Sequence, residues 1–227
     1  MRYLSSCLLA LALFLGGCRK NDRSSDTGTS PLLFVNTSLH DPSVDIYSNG
    51  SLLYSQLSFP DSTGYLNTAA PVNRLALVST GDTLLNVPTA FTAGRLYSVF
   101  VLDSEYGGGV GLAVIADILP AAHPGYTSLR FLNFSPSVSN LDLYSTSAGQ
   151  DLFTDRYFDE TDAFATSFVS FPAGVYDLEL RAPGTFVDIA TLSGLDLQAG
   201  KAYTLFAKGA TNVMGSRTLG IGVLQHN

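Results

Sequence analysis

Apolar and polar positions alternate with a period of two through most of the chain after residue 30. Residues 176–181, YDLELR, place apolar side chains on one face and charged side chains on the other. This alternation is typical of a β-strand with one buried face. The same pattern, interrupted by Gly, Pro, Asn and Ser, predicts further strands at residues 32–38, 44–48, 74–79, 96–102, 110–118, 129–135, 141–144, 186–192, 201–208 and 217–224. No amphipathic helix of three turns is predicted, and only residues 159–168 could hold a short one.

An internal repeat divides this part of the chain in two. The segment LLFVNTSLHDPSVDIYS, residues 32–48, aligns without a gap with LRFLNFSPSVSNLDLYS, residues 129–145. An Ala-Gly pair followed by Tyr and Phe at residues 93–100 recurs at residues 199–206. The two matches occur in the same order at similar spacing, which indicates that one domain has been duplicated. A Pro- and Gly-containing segment at residues 120–125 is suited to the join.

The repeat and the strand pattern together predict an all-β chain. We expect two tandem antiparallel β-sandwich domains with Ig-like or transthyretin-like layering, each of about seven or eight short strands. The first repeat is placed at residues 31–121 and the second at residues 125–227. A small barrel is the rival architecture.

The amino terminus has the features of a lipoprotein signal peptide. Arg2 is followed by an apolar stretch at residues 4–15 that is too short to span a membrane, which takes about 20 residues. Gly16, Gly17 and Cys18 follow this stretch and resemble a lipobox. We therefore expect a signal peptide at residues 1–17, cleavage before Cys18 and lipid on its sulfur. The alternative is a plain signal peptide with a chance cysteine.

The residues after Cys18 predict a tether. Residues 19–30 contain no large apolar side chain, so residues 18–30 are expected to form the lipidated cysteine and a disordered tether. Basic residues after Cys18 and before Asp22 resemble the surface-export signal of Bacteroidota lipoproteins. The predicted location is the outer membrane, at its periplasmic face or on the cell surface. The chain's other cysteine, Cys7, falls in the signal peptide, so no disulfide is expected.

Charge and motifs exclude several function classes. The formal net charge is −7 and the charges are well mixed, so the sequence lacks the basic charge pattern typical of a protein that binds nucleic acid. The three histidines, His40, His123 and His226, are isolated in sequence, and no known nucleophile or metal motif is present. We therefore expect no cofactor, no metal site and no enzyme activity. An acidic run at residues 151–162 could collect Ca²⁺, but its spacing fits no EF-hand loop and favours a solvated loop.

A hydrolytic enzyme with a site assembled from loops is the less favoured alternative, because a triad does not need a local sequence signature. It predicts a concave pocket that holds a histidine or a carboxylate with a strongly shifted pKa.

Two Asp/Tyr pairs recur at equivalent positions of the repeat: Asp45 with Tyr47, and Asp142 with Tyr144. Alternation places each pair on an outward face, where a ring beside a carboxylate could stack on and hydrogen-bond a sugar. The favoured alternative is a cross-strand or turn interaction that fixes the strand register. The pairs are therefore possible ligand contacts or structural pairs.

Three elements of the second repeat resemble the bacterial domain of unknown function DUF4397. They are Asn133, Ser135 and Pro136 followed by Leu141-Asp142-Leu143-Tyr144; Phe171-Pro172-Ala173-Gly174 followed by Tyr176; and Ala199-Gly200 followed by Tyr203-Thr204. The first repeat departs from this pattern, with Leu39 where proline is expected. The resemblance implies a β-rich fold in the cell envelope and no catalytic residues.

These observations predict a non-catalytic cell-envelope lipoprotein of the Bacteroidota type with tandem DUF4397 domains. Its expected partners are the membrane, through lipid on Cys18, and an envelope protein or glycan. A carbohydrate-binding surface protein is the alternative within this class.

Overall fold

The computed structural model describes residues 28–70, 72–104 and 108–226. The predicted signal peptide, Cys18 and the tether up to residue 27 lie outside the described residues. The first strand begins at Gly28, within the stretch that the sequence assigned to the tether. No helix in the described ranges is long and apolar enough to cross a membrane.

The described residues form sixteen strands, one short α-helix and one 3-10 turn at Gly215–Arg217. The first eight strands are β1 (Gly28–Asn36), β2 (Ser43–Ser48), β3 (Ser51–Ser58), β4 (Ser62–Ala70), β5 (Val72–Ser79), β6 (Asp82–Ala90), β7 (Tyr97–Asp103) and β8 (Val110–Ala116). The other elements are β9 (Tyr126–Asn133), β10 (Asn140–Ser145), β11 (Gln150–Tyr157), α1 (Ala163–Thr166), β12 (Val169–Pro172), β13 (Gly174–Arg181), β14 (Asp188–Leu197), β15 (Ala202–Lys208) and β16 (Gly220–Gln225).

Four sheets of four strands make two sandwiches with the same topology. The first sandwich pairs the sheet β4-β1-β7-β8 with the sheet β3-β2-β5-β6. The second pairs β12-β9-β15-β16 with β11-β10-β13-β14. The prediction of an all-β fold with two sandwich domains is confirmed, and the described strands close no barrel. All strand pairs are antiparallel except β1 with β7 and β9 with β15, which are parallel.

Each sandwich has its own apolar core, built from the alternating positions that the sequence shows. Phe34 and Leu77 are fully buried in the first core, and Phe131 and Leu180 are fully buried in the second. Strands β3, β4, β6, β11 and β12 were not predicted, because several of their alternate positions are exposed and carry no clear period-two pattern. The short helix α1 lies within residues 159–168, and Asp162 caps its first turn by accepting from the Ala165 amide.

A third apolar cluster joins the two sandwiches. It contains the outward-facing side chains of the sheets that hold β1 and β9, including Leu33, Phe100, Leu132 and Phe206. Phe100 and Phe206 occupy equivalent positions of the repeat, and their ring centroids are 5.5 Å apart. Equivalent residues that contact each other indicate a pseudo-twofold relation, so the duplicated domains pack as the halves of an isologous dimer do.

The two sandwiches lie with corresponding ends side by side. Near the end of β1, the Leu39 carbonyl accepts from Nη1 of Arg217, in the loop before β16, at 3.5 Å. The Lys208 ammonium, at the end of β15, lies 5.6 Å from the ring centroid of Phe59 in the β3–β4 turn. The loops that follow β1, β3, β5 and β7 therefore share one end of the molecule with their counterparts in the second sandwich. We call this the loop end. The start of β1 and the segment joining the sandwiches lie at the opposite end.

Candidate functional site

Several repeated residues act in the fold. Asn36 and Asn133 end equivalent strands, and each donates from its side-chain amide to two backbone carbonyls while accepting a backbone N–H two residues later. The hydroxyl of Tyr97 accepts from the Thr92 amide, and the hydroxyl of Tyr203 accepts from its counterpart, the Gln198 amide. These contacts hold loops in place, which explains why the Asn-x-Ser and Ala-Gly-x-x-Tyr elements occur twice.

Asp45 and Asp142 hold equivalent bulges. Oδ1 of Asp45 accepts from the Gln56 amide at 2.7 Å, and Oδ1 of Asp142 accepts from the Asp155 amide at 2.7 Å. Gln56 and Asp155 have φ angles of 53° and 54°, in the left-handed region that non-glycine residues adopt rarely. The registers of β2 with β3 and of β10 with β11 shift beside these aspartates. Each carboxylate thus satisfies a backbone donor that the bulge removes from the sheet ladder.

The surroundings of the two pairs differ. In the second sandwich, Oδ2 of Asp142 also accepts from the Gly184 amide at 3.2 Å, and Asp142 is buried. The guanidinium of Arg181 lies 3.4 Å from the ring centroid of Tyr144 and also pairs with Glu179. These groups occupy both the carboxylate and one face of the ring.

In the first sandwich the corresponding space is open. The loop after β13 spans residues 182–187, whereas the turn after β5 has only the two residues Thr80 and Gly81. Val78 occupies the register position that Arg181 has in the second sandwich, since it pairs with Asp45 as Arg181 pairs with Asp142. A pocket of about 270 Å³ lies here at the loop end, lined by Ser43, Asp45, Gln56, Val78, Ser79, Thr80 and Gly81.

A second group of polar side chains is buried where the sandwiches meet. Nη2 of Arg130 donates to Oδ1 of Asp117 at 2.5 Å, and Nε of Arg130 donates to the Thr204 hydroxyl at 2.7 Å. His226 lies with Nε2 2.6 Å from the Thr204 hydroxyl and Nδ1 2.8 Å from the hydroxyl of Tyr65. Tyr65 donates to Oδ2 of Asp117 at 2.7 Å, which closes a ring of five side chains. We call these five residues the buried ring.

The two charged members of the buried ring constrain the protons in it. An arginine can only donate and a carboxylate can only accept, so the Thr204 hydroxyl receives from Arg130 and the Tyr65 hydroxyl donates to Asp117. Because the only proton of the Tyr65 hydroxyl goes to Asp117, Nδ1 of His226 carries the proton that is donated to Tyr65. With a neutral His226, Thr204 donates its own proton to Nε2 of His226. Ser98 adds a further donor to Oδ2 of Asp117 at 2.8 Å.

Burial governs the ionisation of these groups. It lowers the pKa of His226 to about 4, the nearby Asp117 carboxylate raises it, and the Arg130 guanidinium lowers it further. Burial also lowers the pKa of Arg130, although the Asp117 carboxylate opposes this. The pKa of Tyr65 is raised, first by burial and then by the charge of Asp117. The ring is thus most stable with one cation, one anion and a neutral histidine.

The buried ring resembles a hydrolytic site only in composition. Thr204, His226 and Asp117 lie near one another, as a nucleophile, a base and an orienting acid would, but His226 Nδ1 and Asp117 Oδ2 are 3.8 Å apart. The side chains of Asp117, Arg130 and His226 have no solvent exposure, and Thr204 has none either. A cleft of about 360 Å³ reaches Asp117, but only at its backbone, because the side chain is buried.

The other histidines and the acidic run are placed apart from the ring. His40 is exposed and pairs with Asp41, and His123 packs its ring edge-on against Tyr126 beside a shallow pocket. In residues 151–162, Asp155 accepts from the Asn140 amide and Asp162 caps α1. Across the part of the chain that the structure describes, no group of three His, Cys, Asp or Glu side chains could hold a metal ion.

Sequence reasoning missed the buried ring, although it carried one signal. Arg130 interrupts the apolar strand LRFLN where the first repeat has Leu33. Three other members have counterparts across the repeat. Thr204 matches Ser98 in register, and Asp117 follows the last residue of β8 as His226 follows the last residue of β16. Phe168 stacks on the Arg130 guanidinium at 4.7 Å and completes the packing.

Comparisons with known proteins identify a family whose function is unknown. The family model described as Domain of unknown function (DUF4397) matches residues 30–144, just over half of the chain. The matched range covers the first sandwich and extends through β9 and most of β10. No curated protein matches the chain.

Two solved structures are similar to most of the chain at low identity. One is a family 41 carbohydrate-binding module from streptococcal virulence factors that recognises α-glucan, at 13% identity over 78% of this chain and 92% of that chain, with a TM-score of 0.23. The other is described as a candidate cell adhesion protein from Parabacteroides distasonis, at 8% identity over 88% of this chain and 100% of that chain, with a TM-score of 0.26. At these scores the two structures do not bear on the function of this chain.

Proposed function

We propose that this chain, which belongs to the DUF4397 family of domains of unknown function, is a non-catalytic binding module of the cell envelope. Lipid on Cys18 holds it on the outer membrane, and its loop end recognises an envelope protein or a glycan. The two sandwiches act as one rigid body that carries the loop end away from the bilayer.

The observation that carries the proposal is the common orientation of the sandwiches. The chain enters β1 at Gly28, at the end opposite to the loops of both domains. A tether attached at that entry point directs both sets of loops away from the membrane. The loop end also carries exposed apolar side chains, with Phe186 92% and Met214 93% exposed. Loops positioned by a rigid β scaffold are a common location for binding residues.

The buried ring supports a non-catalytic role. The histidine with the lowered pKa and the fully buried ion pair lie in one closed network with no exposed nucleophile. These groups hold one sandwich against the other. General acid–base chemistry needs a group that can reach a substrate by a direct or water-mediated hydrogen bond, and side chains without solvent exposure do not meet that need.

Lipid labelling of the full chain in a Gram-negative host tests the anchor. We expect the unmodified chain to incorporate labelled fatty acid and to sediment with membranes, and Cys18→Ala to lose both properties. Cys7→Ala is the matched control, since it removes a thiol from the predicted signal peptide and should leave labelling unchanged. Labelled Cys18→Ala protein, or an unlabelled native chain in the soluble fraction, would refute the anchor.

Binding by the loop end is tested separately with the purified full chain in detergent. A glycan array and crosslinking in envelope extracts are compared between the native chain and Phe186→Ser/Met214→Ser. The proposal expects at least one specific partner. If neither assay finds a specific glycan or protein, the binding role is refuted, and the chain acts only as a structural spacer in the envelope.

A further inference from the structure

We propose that the pocket beside Asp45 on the first sandwich binds one sugar unit of a glycan, and that the equivalent position on the second sandwich does not. This inference rests on the proposed binding role and specifies its ligand. It also separates the two Asp/Tyr pairs, which the repeat presents as equivalent.

The pocket offers the hydrogen-bonding groups that a polyol requires. One oxygen of Asp45, Oδ1, accepts from the Gln56 amide at 2.7 Å, and no described residue donates to the other, Oδ2. The hydroxyl-bearing residues Ser43, Ser79 and Thr80 line the same space. A carboxylate oxygen accepts from sugar hydroxyls, and serine and threonine hydroxyls both donate and accept. The volume of about 270 Å³ is slightly below the usual range of small-ligand sites, which suits a single pyranose with the rest of a glycan in solvent.

An aromatic side chain projects from the same face of β2 as Asp45, outside the set of residues that line the pocket. Tyr47 is two residues after Asp45 on β2, so the two side chains project from the same face about 7 Å apart along the strand. Tyr47 is partly exposed. A tyrosine ring presents an apolar face for the C–H groups of a sugar and a hydroxyl for its polar edge. The carboxylate and the ring are thus both available to a glycan on this face of the strand.

The second sandwich shows how the same site is closed. Both oxygens of Asp142 are occupied by backbone amides, one from Asp155 and one from Gly184. The longer loop at residues 182–187 supplies the second amide, and the two-residue turn of the first sandwich has no counterpart to it. Arg181 covers one face of Tyr144, at 3.4 Å from the ring centroid. The duplicated position therefore gives an internal control within the same chain.

The lining chemistry favours a neutral polyol over an ion. Among the described residues that line the pocket there is no Lys, Arg or His, so none of them would neutralise an anion. Asp45 is the one carboxylate among the lining residues, and the described residues contain no three-member group suited to a metal ion. Divalent cations of the hard type take six or more oxygen ligands, usually with several carboxylates.

Saturation-transfer NMR on the full chain in detergent tests the site. The probes are the methyl glycosides of glucose, galactose, mannose and N-acetylglucosamine. We expect at least one of them to bind with a dissociation constant in the millimolar range, because a single ring in a small open pocket makes few contacts.

Two substitutions in the first sandwich distinguish the site. Asp45→Asn keeps an acceptor for the Gln56 amide but replaces Oδ2 by a donor, and we expect at least about a tenfold loss of affinity. Val78→Arg places a guanidinium where Arg181 lies in the second sandwich, and it should block binding without altering the bulge. Asp142→Asn is the matched control and should leave affinity unchanged. Melting curves by circular dichroism verify that each variant is folded.

Three results would contradict the proposed sugar site or its position. If none of the four glycosides binds, the sugar site is refuted, while the proposed function stands as long as a protein partner and the anchor are found. If Asp142→Asn weakens binding as much as Asp45→Asn, the chain binds sugar at a different place and the assignment to the first sandwich is wrong. Unchanged affinity in a folded Val78→Arg protein would also refute the assignment.

Discussion

The ion pair in the buried ring predicts a strong dependence of stability on Asp117. Replacing Asp117 by Ala leaves the Arg130 guanidinium fully buried without its counter-charge and removes an acceptor from two hydroxyls. Removing one partner of a buried ion pair costs about 3–5 kcal/mol of the free energy of unfolding. Arg130→Met leaves the carboxylate buried with only the Tyr65 and Ser98 hydroxyls as donors, and we expect a loss in the same range.

The double variant Asp117→Ala/Arg130→Met tests whether the two buried charges are coupled. If the two substitutions acted independently, Asp117→Ala/Arg130→Met would lose roughly 6–10 kcal/mol, enough to unfold an ordinary domain. Without either charge, the site contains only apolar and neutral polar groups, and no charge is left buried without a partner. We therefore expect the double variant to remain folded, with a loss at least about 2 kcal/mol smaller than the sum of the single losses.

Urea unfolding of the four proteins, followed by far-UV circular dichroism, measures the coupling. Circular dichroism is chosen because the chain contains no tryptophan. A loss that is additive within about 0.5 kcal/mol would show that the two charges are not coupled and would refute the ring as an electrostatic clamp. The control Asp41→Ala removes a carboxylate whose histidine partner is exposed, and it should cost far less than Asp117→Ala.

Three further predictions concern the ring, the domain interface and the bulge. Burial lowers the pKa of His226 from 6.5 to about 4 in the folded protein, so the unfolded chain takes up a proton at a higher pH than the folded one. The free energy of unfolding should therefore be highest above pH 6.5 and should fall by roughly 3 kcal/mol as the pH is lowered towards 4. His226→Gln should remove that loss in urea titrations across this pH window, and an unchanged slope would contradict it. Gly222→Ala would place a Cβ against the phenyl ring of Phe206 and should lower the free energy of unfolding by about 1–3 kcal/mol, measured by calorimetry. An unchanged melting temperature would show that the phenyl ring of Phe206 moves aside without cost. Asp142→Ala removes the acceptor of two backbone amides and should cost about 1–3 kcal/mol of the free energy of unfolding. Asp142→Asn keeps an acceptor for one of these amides but turns a donor towards the other, so it should recover only part of that loss, and equal losses in the two melting curves would exclude this hydrogen-bonding role.

The alternation of residues predicted the strands that have one fully buried face. Strands such as β13, with alternating buried and partly exposed residues, can be predicted from the sequence because every second side chain must be apolar to be buried. Strands β3 and β11 were not predicted, since their registers contain bulges that interrupt the period of two. A bulge depends on the partner strand, which the local pattern does not contain.

The repeat identified the two Asp/Tyr pairs as candidates, but it did not show which aspartate has an oxygen that faces a pocket. Asp45 and Asp142 have the same sequence context and hold the same type of bulge. The difference arises from Arg181 and Gly184, which are distant in sequence and approach only when β13 pairs with β10. Loop length, rather than the motif itself, decides whether the carboxylate faces a pocket.

The sequence by itself determined the all-β class and the internal repeat, and it marked the repeated residues without giving their roles. These properties follow from local periodicity and from the recurrence of short segments, and each needs only nearby residues. The tertiary structure decided that the sandwiches share one interface, that their loops share one end, and that five distant polar side chains close a ring. Such features depend on the docking of one sheet face against another. A single arginine in an apolar strand was the only local sign of that contact.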